Sequence, residues 1–232
     1  MIELLTVICI IVILAALLLP TMNFMRARAD SAQCLAHLRQ IGTGIAAYMN
    51  DREMMPGPLH LKQGATYKPG EPGSLAALLE SYLGTGAASA DTTRTSPVFL
   101  CPAAYRKSQN KAETTYFVNM LQVPEYTQSI WGDIDQGQQP LARAILSNWS
   151  IADDQGHPLS LAEMWALQDA DQEYVKQHTN FFTGTMDDLL PHPAHDDHYN
   201  ALFFDLHVER RVAGLAITEP APSGTPAPNP SP

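Results

Sequence analysis

Two hydrophobic patterns divide the first fifty residues. From Leu4 to Leu19 (LLTVICIIVILAALLL) the chain is apolar on every side, with Thr6 its only polar residue. A helix apolar all round belongs in a membrane or a deep core. Past Pro20, Leu35, Leu38, Ile41, Ile45 and Tyr48 recur at steps of three and four. That period keeps one face apolar and turns Arg39, Gln40 and Asn50 elsewhere. The two patterns predict one continuous helix over residues 1–50, roughly 75 Å long at 1.5 Å per residue. Residues 1–24 form the half expected in lipid, and residues 25–50 the amphipathic half expected against a soluble domain. Pro20 is expected to kink or locally melt the rod, because its ring blocks an i to i−4 bond. Gly42 and Gly44 each cost about 1 kcal/mol of helix propensity, which suggests that a sheet packs closely there.

Residues 51–217 read as a loop-rich α+β domain. Asp51 to Gly73 is a Pro/Gly-rich loop in which Pro56-Gly57-Pro58 stops any helix. Ser74 to Gly84 is a short helix, with Ser74 suited to the N-cap and Gly84 to the stop. Gly84 to Ser96 is small and polar, a surface loop. Strands are predicted over Tyr116–Leu121, Ala144–Trp149 and Glu163–Asp169, the last ending in an acidic patch. Asn200 to Val208 reads as strand, turn and strand. Residues 218–232 (TEPAPSGTPAPNPSP) lack large apolar side chains and are expected to be disordered.

Composition adds three constraints. The 232 residues suffice for one domain beside the helix. A formal net charge of −10 gives no electrostatic pull toward nucleic acid. With 16% charged residues, 18 Pro and 14 Gly, the domain should be rich in loops. Of three cysteines, Cys9 lies in the apolar run, leaving Cys34 and Cys101 as the soluble pair. In an oxidising compartment these two could bridge. The long loop between them would make the bridge worth about 4 kcal/mol on the chain-entropy model. Two free buried thiols are the alternative.

The N-terminus admits three readings. A cleaved signal peptide has a small-x-small site at Ala27-Arg28-Ala29, with Asp30 as the new start. The segment before the apolar run nevertheless holds Glu3 and no basic residue. A plain anchor has a run of about 16 residues against the ~20 that span a bilayer, and Arg26 and Arg28 behind it favour the opposite orientation. The third reading rests on Met1-Ile2-Glu3-Leu4-Leu5-Thr6-Val7-Ile8 and Ile13-Leu14-Ala15-Ala16-Leu17-Leu18-Leu19-Pro20. This stretch resembles the N-terminal segment of type IV prepilins and type II secretion pseudopilins. The resemblance implies a short basic leader ending in Gly upstream of Met1, and a prepilin peptidase that removes it. It also implies that Glu3 pairs with the N-terminal amine of a neighbouring subunit as helices stack, a role that would repay a carboxylate placed beside an apolar helix. Ala32 to Gly42 (AQCLAHLRQIG) is similar to a family stretch Cys-x-x-Asn-Leu-Arg-Gln-Ile-Gly, with His37 in the Asn position and expected at the surface. Val98-Phe99-Leu100-Cys101-Pro102 is similar to the family's second Cys-Pro, which follows an extended segment.

The densest polar cluster runs from 186 to 208: Asp187, Asp188, His192, His195, Asp196, Asp197, His198, Asp205 and His207. His195, nine residues and Asp205, together with Asn200-Ala201-Leu202-Phe203-Phe204-Asp205-Leu206-His207-Val208, resemble the prepilin-type signature His-nine residues-Asp-Gly. Leu206 replaces the Gly, so a turn needing positive φ is expected to differ here. Three uses of the cluster remain open. In the first, His195 and Asp205 hydrogen-bond across a hairpin while Asn200 or Asp169 fixes a loop. In the second, a metal is bound, calcium through Asp oxygens or zinc through His195, His198 or His207, with Asp169 and Asp205 as further ligands. The third is His/Asp catalysis, for which no Ser or Cys nucleophile motif is present.

The resemblance implies a pilin-like α+β fold, a long N-terminal helix on an antiparallel sheet. It implies a structural subunit, not an enzyme, of a type IV pilus or type II secretion pseudopilus. Such a subunit is held in the bacterial inner membrane as a single-pass protein with its domain in the periplasm. Its partners would be membrane lipid and copies of itself or related subunits. The rival is a membrane-tethered periplasmic metal-binding protein or hydrolase using His192, His195, His198 and Asp205.

Overall fold

The computed structural model describes residues 2–84, 92–108, 114–120, 122–123, 126, 128–150, 152, 158, 160–177, 186 and 189–212. The side chains of 2, 5, 15–21, 23, 24, 114, 122 and 177 stand outside that description. Helix α1 runs from Ile2 to Arg52. It is continuous through Pro20, so the expected local melting is absent. The i to i−4 bond that proline removes is one among dozens in so long a rod. Among the described residues no helix is long and apolar enough to cross a membrane.

The two halves of α1 live in different surroundings. Leu4 is 74% exposed and Val12 65%, and Val7, Ile8, Ile10, Ile11, Ile13 and Leu14 are exposed as well. Further along, Cys34, Leu38, Ile41 and Ile45 are fully buried. Those four are spaced by four, three and four residues, which is one face of an α-helix. The apolar stripe was expected to begin at Leu35. It begins at Cys34 instead, and Leu35 and Tyr48 are half-buried at its margins. Burial of a Leu or Ile side chain contributes about 1.5–3 kcal/mol, so this stripe fastens the helix to the domain.

Opposite the stripe stands a five-stranded antiparallel sheet, order β1-β4-β7-β8-β9. Its strands are β1 (Lys62–Gly64), β4 (Thr114–Val118), β7 (Trp165–Asp169), β8 (His198–Phe203) and β9 (Val208–Val212). Two small ribbons complete the β structure: β2 (Thr66–Tyr67) with β3 (Arg94–Thr95), and β5 (Gln122–Val123) with β6 (Gln128–Ser129). Short helices α2 (Leu75–Leu78), α3 (Pro102–Lys107), α4 (Arg143–Ser147) and α5 (Gln172–Gln177) fill the connections. The second face of the sheet is covered too. Phe117, Trp165, Ala201 and Phe203 form a separate cluster with Val175 of α5, and Tyr174 meets the Trp165 ring edge-on at 5.7 Å. The layers are therefore helix, sheet and a thin cover, an α+β arrangement.

Gly42 makes the helix–sheet contact close. A Cβ there would lie 3.0 Å from Leu202 Cδ1 on β8. Gly44 does not meet the sheet; it faces Leu83 and Leu79 behind α2.

Several local expectations change. Ala144–Trp149 is not a strand: Arg143 to Ser147 is helical. The segment before Cys101 is a 3-10 turn at Pro97–Phe99 rather than extended. The Asp51–Gly73 loop holds β1 and β2, and Arg94–Thr95 of the predicted surface loop pairs with β2. Ser74 does cap α2, accepting from the Ala77 amide at 3.3 Å. Asp187, Asp188, residues 85–91 and the tail 218–232 lie outside the described residues.

The β8–β9 turn overturns the argument from Leu206. That residue sits at φ +71°, its amide donates to Phe203 O at 2.9 Å, and Phe203 N donates to His207 O at 2.9 Å. A four-residue turn whose last residue is left-handed is the type I turn with G1 bulge, where glycine is usual. Leucine pays about 1–2 kcal/mol to be left-handed, and its half-buried side chain packs on the main core, which offsets the strain.

Candidate functional site

The site lies where α1, α3, β7 and the loop before β8 converge, between helix and sheet. Cys34 enters from the buried stripe of α1. Cys101 is the N-cap residue of α3, set by Pro102, whose fixed φ favours the first helical position. That segment is tied to α1 twice. His37 Nδ1 bonds Leu100 O at 3.0 Å, and Arg106 forms an ion pair with Asp30. His37, expected at the surface, is thus half-buried and structural. Asp169 ends β7 opposite Tyr116 of β4. His195 precedes β8, in a turn where the Asp197 amide donates to its carbonyl at 2.9 Å and Asp196 is left-handed at φ +64°.

These elements bring four side chains together: Cys34, Cys101, Asp169 and His195 are all buried, and one ligand atom from each lies within 4.8 Å of the others. Cys34 Sγ is 3.4 Å from Asp169 Oδ1 and 3.5 Å from the Tyr116 hydroxyl. Cys101 Sγ is 3.3 Å from His195 Nε2, and that nitrogen is 3.5 Å from Asp169 Oδ2. The Asn200 amide donates to Asp169 Oδ2 at 2.8 Å. The two cysteines are free thiols facing one another, so the bridge considered from the sequence is not formed in this structure.

Burial disfavours charge in the site. It raises the Asp169 carboxyl to about 7 against the opposing hydrogen bond from Asn200. It lowers His195 to about 4, with His198 and Lys107 adding to the effect. The hydrogen bond with Cys101, then burial, holds the Cys34 thiol well above its ordinary range. Burial raises the Tyr116 hydroxyl likewise. At neutral pH the imidazole is therefore neutral, and its contact with Asp169 is not an ion pair.

The other residues singled out from the sequence stand elsewhere. His195 does not reach Asp205 across the hairpin. Asp205 Oδ1 instead binds its own turn, 2.5 Å from His207 Nδ1 and 3.1 Å from the His207 amide. The His207 ring stacks on Phe203 at 4.2 Å. His192 pairs with Glu173 at 2.7 Å. His198 stacks on His195 at 5.4 Å, but its nitrogens face Ser31 and Asp197 at 3.2 and 2.8 Å. The constellation His192, His195, His198 and Asp205 thus does not converge on one point. Asn200 is fully buried, and its side-chain amide has no partner among the described residues. Asp169 and Asp171 are buried as well and form no surface patch. Glu3 is exposed in the first turn of α1, where its carbonyl accepts from the Thr6 hydroxyl at 2.8 Å.

Tyr116 gave no sign of its role beyond lying in a predicted strand. Two sulfurs, an imidazole nitrogen and a carboxylate oxygen suit a soft or borderline cation; calcium takes oxygen ligands alone. Beside the cluster, Asp30, Ser31, Arg106, Lys107 and Arg210 line an open cleft of about 520 Å³. No protein-family model matches this chain, nor does any characterised protein or solved structure.

Proposed function

We propose that this chain is a structural subunit of a helix-cored filament of the type IV pilus or type II secretion pseudopilus kind. The observation that carries the reading is the exposed apolar half of α1. Eight large aliphatic side chains between Leu4 and Leu14 are at least half exposed, on a rod whose far half is bound to the domain. So large an apolar surface demands a second environment. Lipid is the first, in the bacterial inner membrane with the domain on the periplasmic side. The same halves of sister copies are the second.

Assembly then works by exchange of environment. The apolar halves leave lipid and stack in a bundle, while the sheet domains cover the outside. Glu3, at the start of the apolar segment, sets the register by pairing with a neighbour's N-terminal amine; a misplaced neighbour would leave its charge unpaired in an apolar bundle. No catalytic step is required.

Expression of the full chain with its native upstream region, in cells carrying the assembly apparatus, tests this. Sheared filaments are collected by centrifugation and viewed by electron microscopy. Glu3→Ala is expected to cut the filament yield at least several-fold while the protein stays in the membrane fraction. Equal yields from both chains, or no filaments from either, would overturn the proposal.

A further inference from the structure

The structure assigns a zinc site to Cys34, Cys101, Asp169 and His195. Tetrahedral zinc, with Zn–S near 2.3 Å and Zn–N or Zn–O near 2.1 Å, holds neighbouring ligand atoms about 3.4–3.8 Å apart. Three separations lie at or just below that range: 3.3 Å from Cys101 Sγ to His195 Nε2, 3.4 Å from Cys34 Sγ to Asp169 Oδ1, and 3.5 Å from His195 Nε2 to the other carboxylate oxygen, Asp169 Oδ2. No ligand atom of the four lies beyond 4.8 Å from another. Pairs at the outer limit would close toward a common centre, with one of the two Asp169 oxygens taking the ligand place.

The donor set selects the ion. Two thiolates and an imidazole favour zinc over magnesium or calcium. Binding takes the protons of both thiols, and that of the Asp169 carboxyl where it is protonated, to solvent and leaves two thiolates and a carboxylate around a divalent cation. Outer partners are already in place, as metal sites require. The Tyr116 hydroxyl lies 3.5 Å from Cys34 Sγ, and the Asn200 amide holds Asp169 Oδ2 at 2.8 Å.

A Cys34–Cys101 disulfide is the competing use of the same sulfurs. It would consume both thiols and take the sulfur partners of Asp169 Oδ1 and His195 Nε2, leaving these buried side chains only the 3.5 Å contact with each other and the Asn200 amide on Asp169 Oδ2. Buried polar groups left unsatisfied are costly. Zinc engages all four side chains at once. Its effect is to clip α1 to α3, β7 and the loop before β8 through ligands 34, 101, 169 and 195, at the level where the helix leaves its exposed half. This assignment does not depend on the filament reading.

The test uses the full chain in detergent, in a Cys9→Ala background that removes the exposed thiol, purified without chelator. Elemental analysis is expected to find one zinc per chain. Cobalt exchanged for zinc is expected to give the intense thiolate-to-cobalt absorption of sulfur coordination. His195→Ala and Cys101→Ser should weaken zinc binding about tenfold or more, and Cys101→Ser should also reduce the charge-transfer band. His207→Ala, outside the cluster, should keep its zinc. Circular dichroism identifies any variant that fails to fold, and Asp169→Asn then serves in its place. Three results would overturn the assignment: a Cys34–Cys101 disulfide in untreated protein, no zinc despite free thiols, or zinc retained undiminished by folded ligand variants.

Discussion

At the scale of single residues, chemistry was easier to read than partnership. His195 and Asp169 were visible as polar residues in a suggestive setting, and Cys34 and Cys101 as the two thiols outside the apolar run. That these four form one cluster follows from the order of the strands, which no local spacing encodes. Asp205 and His207 misled for a physical reason. A turn needs a carboxylate to hold its own backbone amide, and that local need resembles a ligand pattern in sequence. Leu206 is the sharper case. The expectation that leucine forces a different turn weighed only the cost of positive φ and not the packing that offsets it. The two can be separated by mutation. Leu206→Gly removes the strain and the packing together and should change stability by less than about 1 kcal/mol. Leu206→Val keeps an apolar side chain but puts a β-branched residue at φ +71°, and should cost about 1–3 kcal/mol. Urea denaturation of the three proteins checks both values; a Val variant as stable as the parent would show that the strain is absent.

At the scale of elements, length decided what was legible. The amphipathic half of α1 repeats its pattern for several turns, so its period and its face are readable. Trp165–Asp169 and the β8–β9 hairpin were readable as strands because large apolar residues alternate or cluster between turn signals. Residues 143–147 were not: Ala144-Ile145-Leu146 is a short apolar run that suits helix and strand equally. The strands at 62–67 hold three and two residues, too few for alternation to emerge from a Pro/Gly-rich stretch. The helix–sheet contact gives the prediction at this scale. Gly42 lets β8 approach α1, with Leu202 3.0 Å from where a Cβ would stand. Gly42→Leu should therefore destabilise by about 1–3 kcal/mol through overpacking, despite the gain of about 1 kcal/mol in helix propensity. The thermal midpoint of the purified chain reports the sign. A rise would mean that the helix and sheet are not packed as described.

At the scale of the whole molecule, one helix serves two environments. Its second half has the buried stripe, the close glycine and the polar cluster to bind it to the domain, whereas the described side chains from Leu4 to Leu14 of its first half stand exposed. The hydrophobic pattern announced this division before any tertiary contact was known, because a helix apolar on all sides cannot find enough partners within a domain of this size. The sheet order, by contrast, was hidden. Strands β1 and β4 are neighbours although about fifty residues separate them, and the intervening loops carry no trace of that pairing. The central claim is that residues 1–24 are an assembly surface and contribute nothing to the fold of the rest. Sedimentation velocity and thermal melting, without detergent, of the full chain and of a chain starting at residue 25 test it most directly. The account predicts a monomer with a cooperative transition for the shortened chain, and association or a detergent requirement for the full one. A full chain that remains monomeric in water, or a shortened chain that no longer folds, would contradict it.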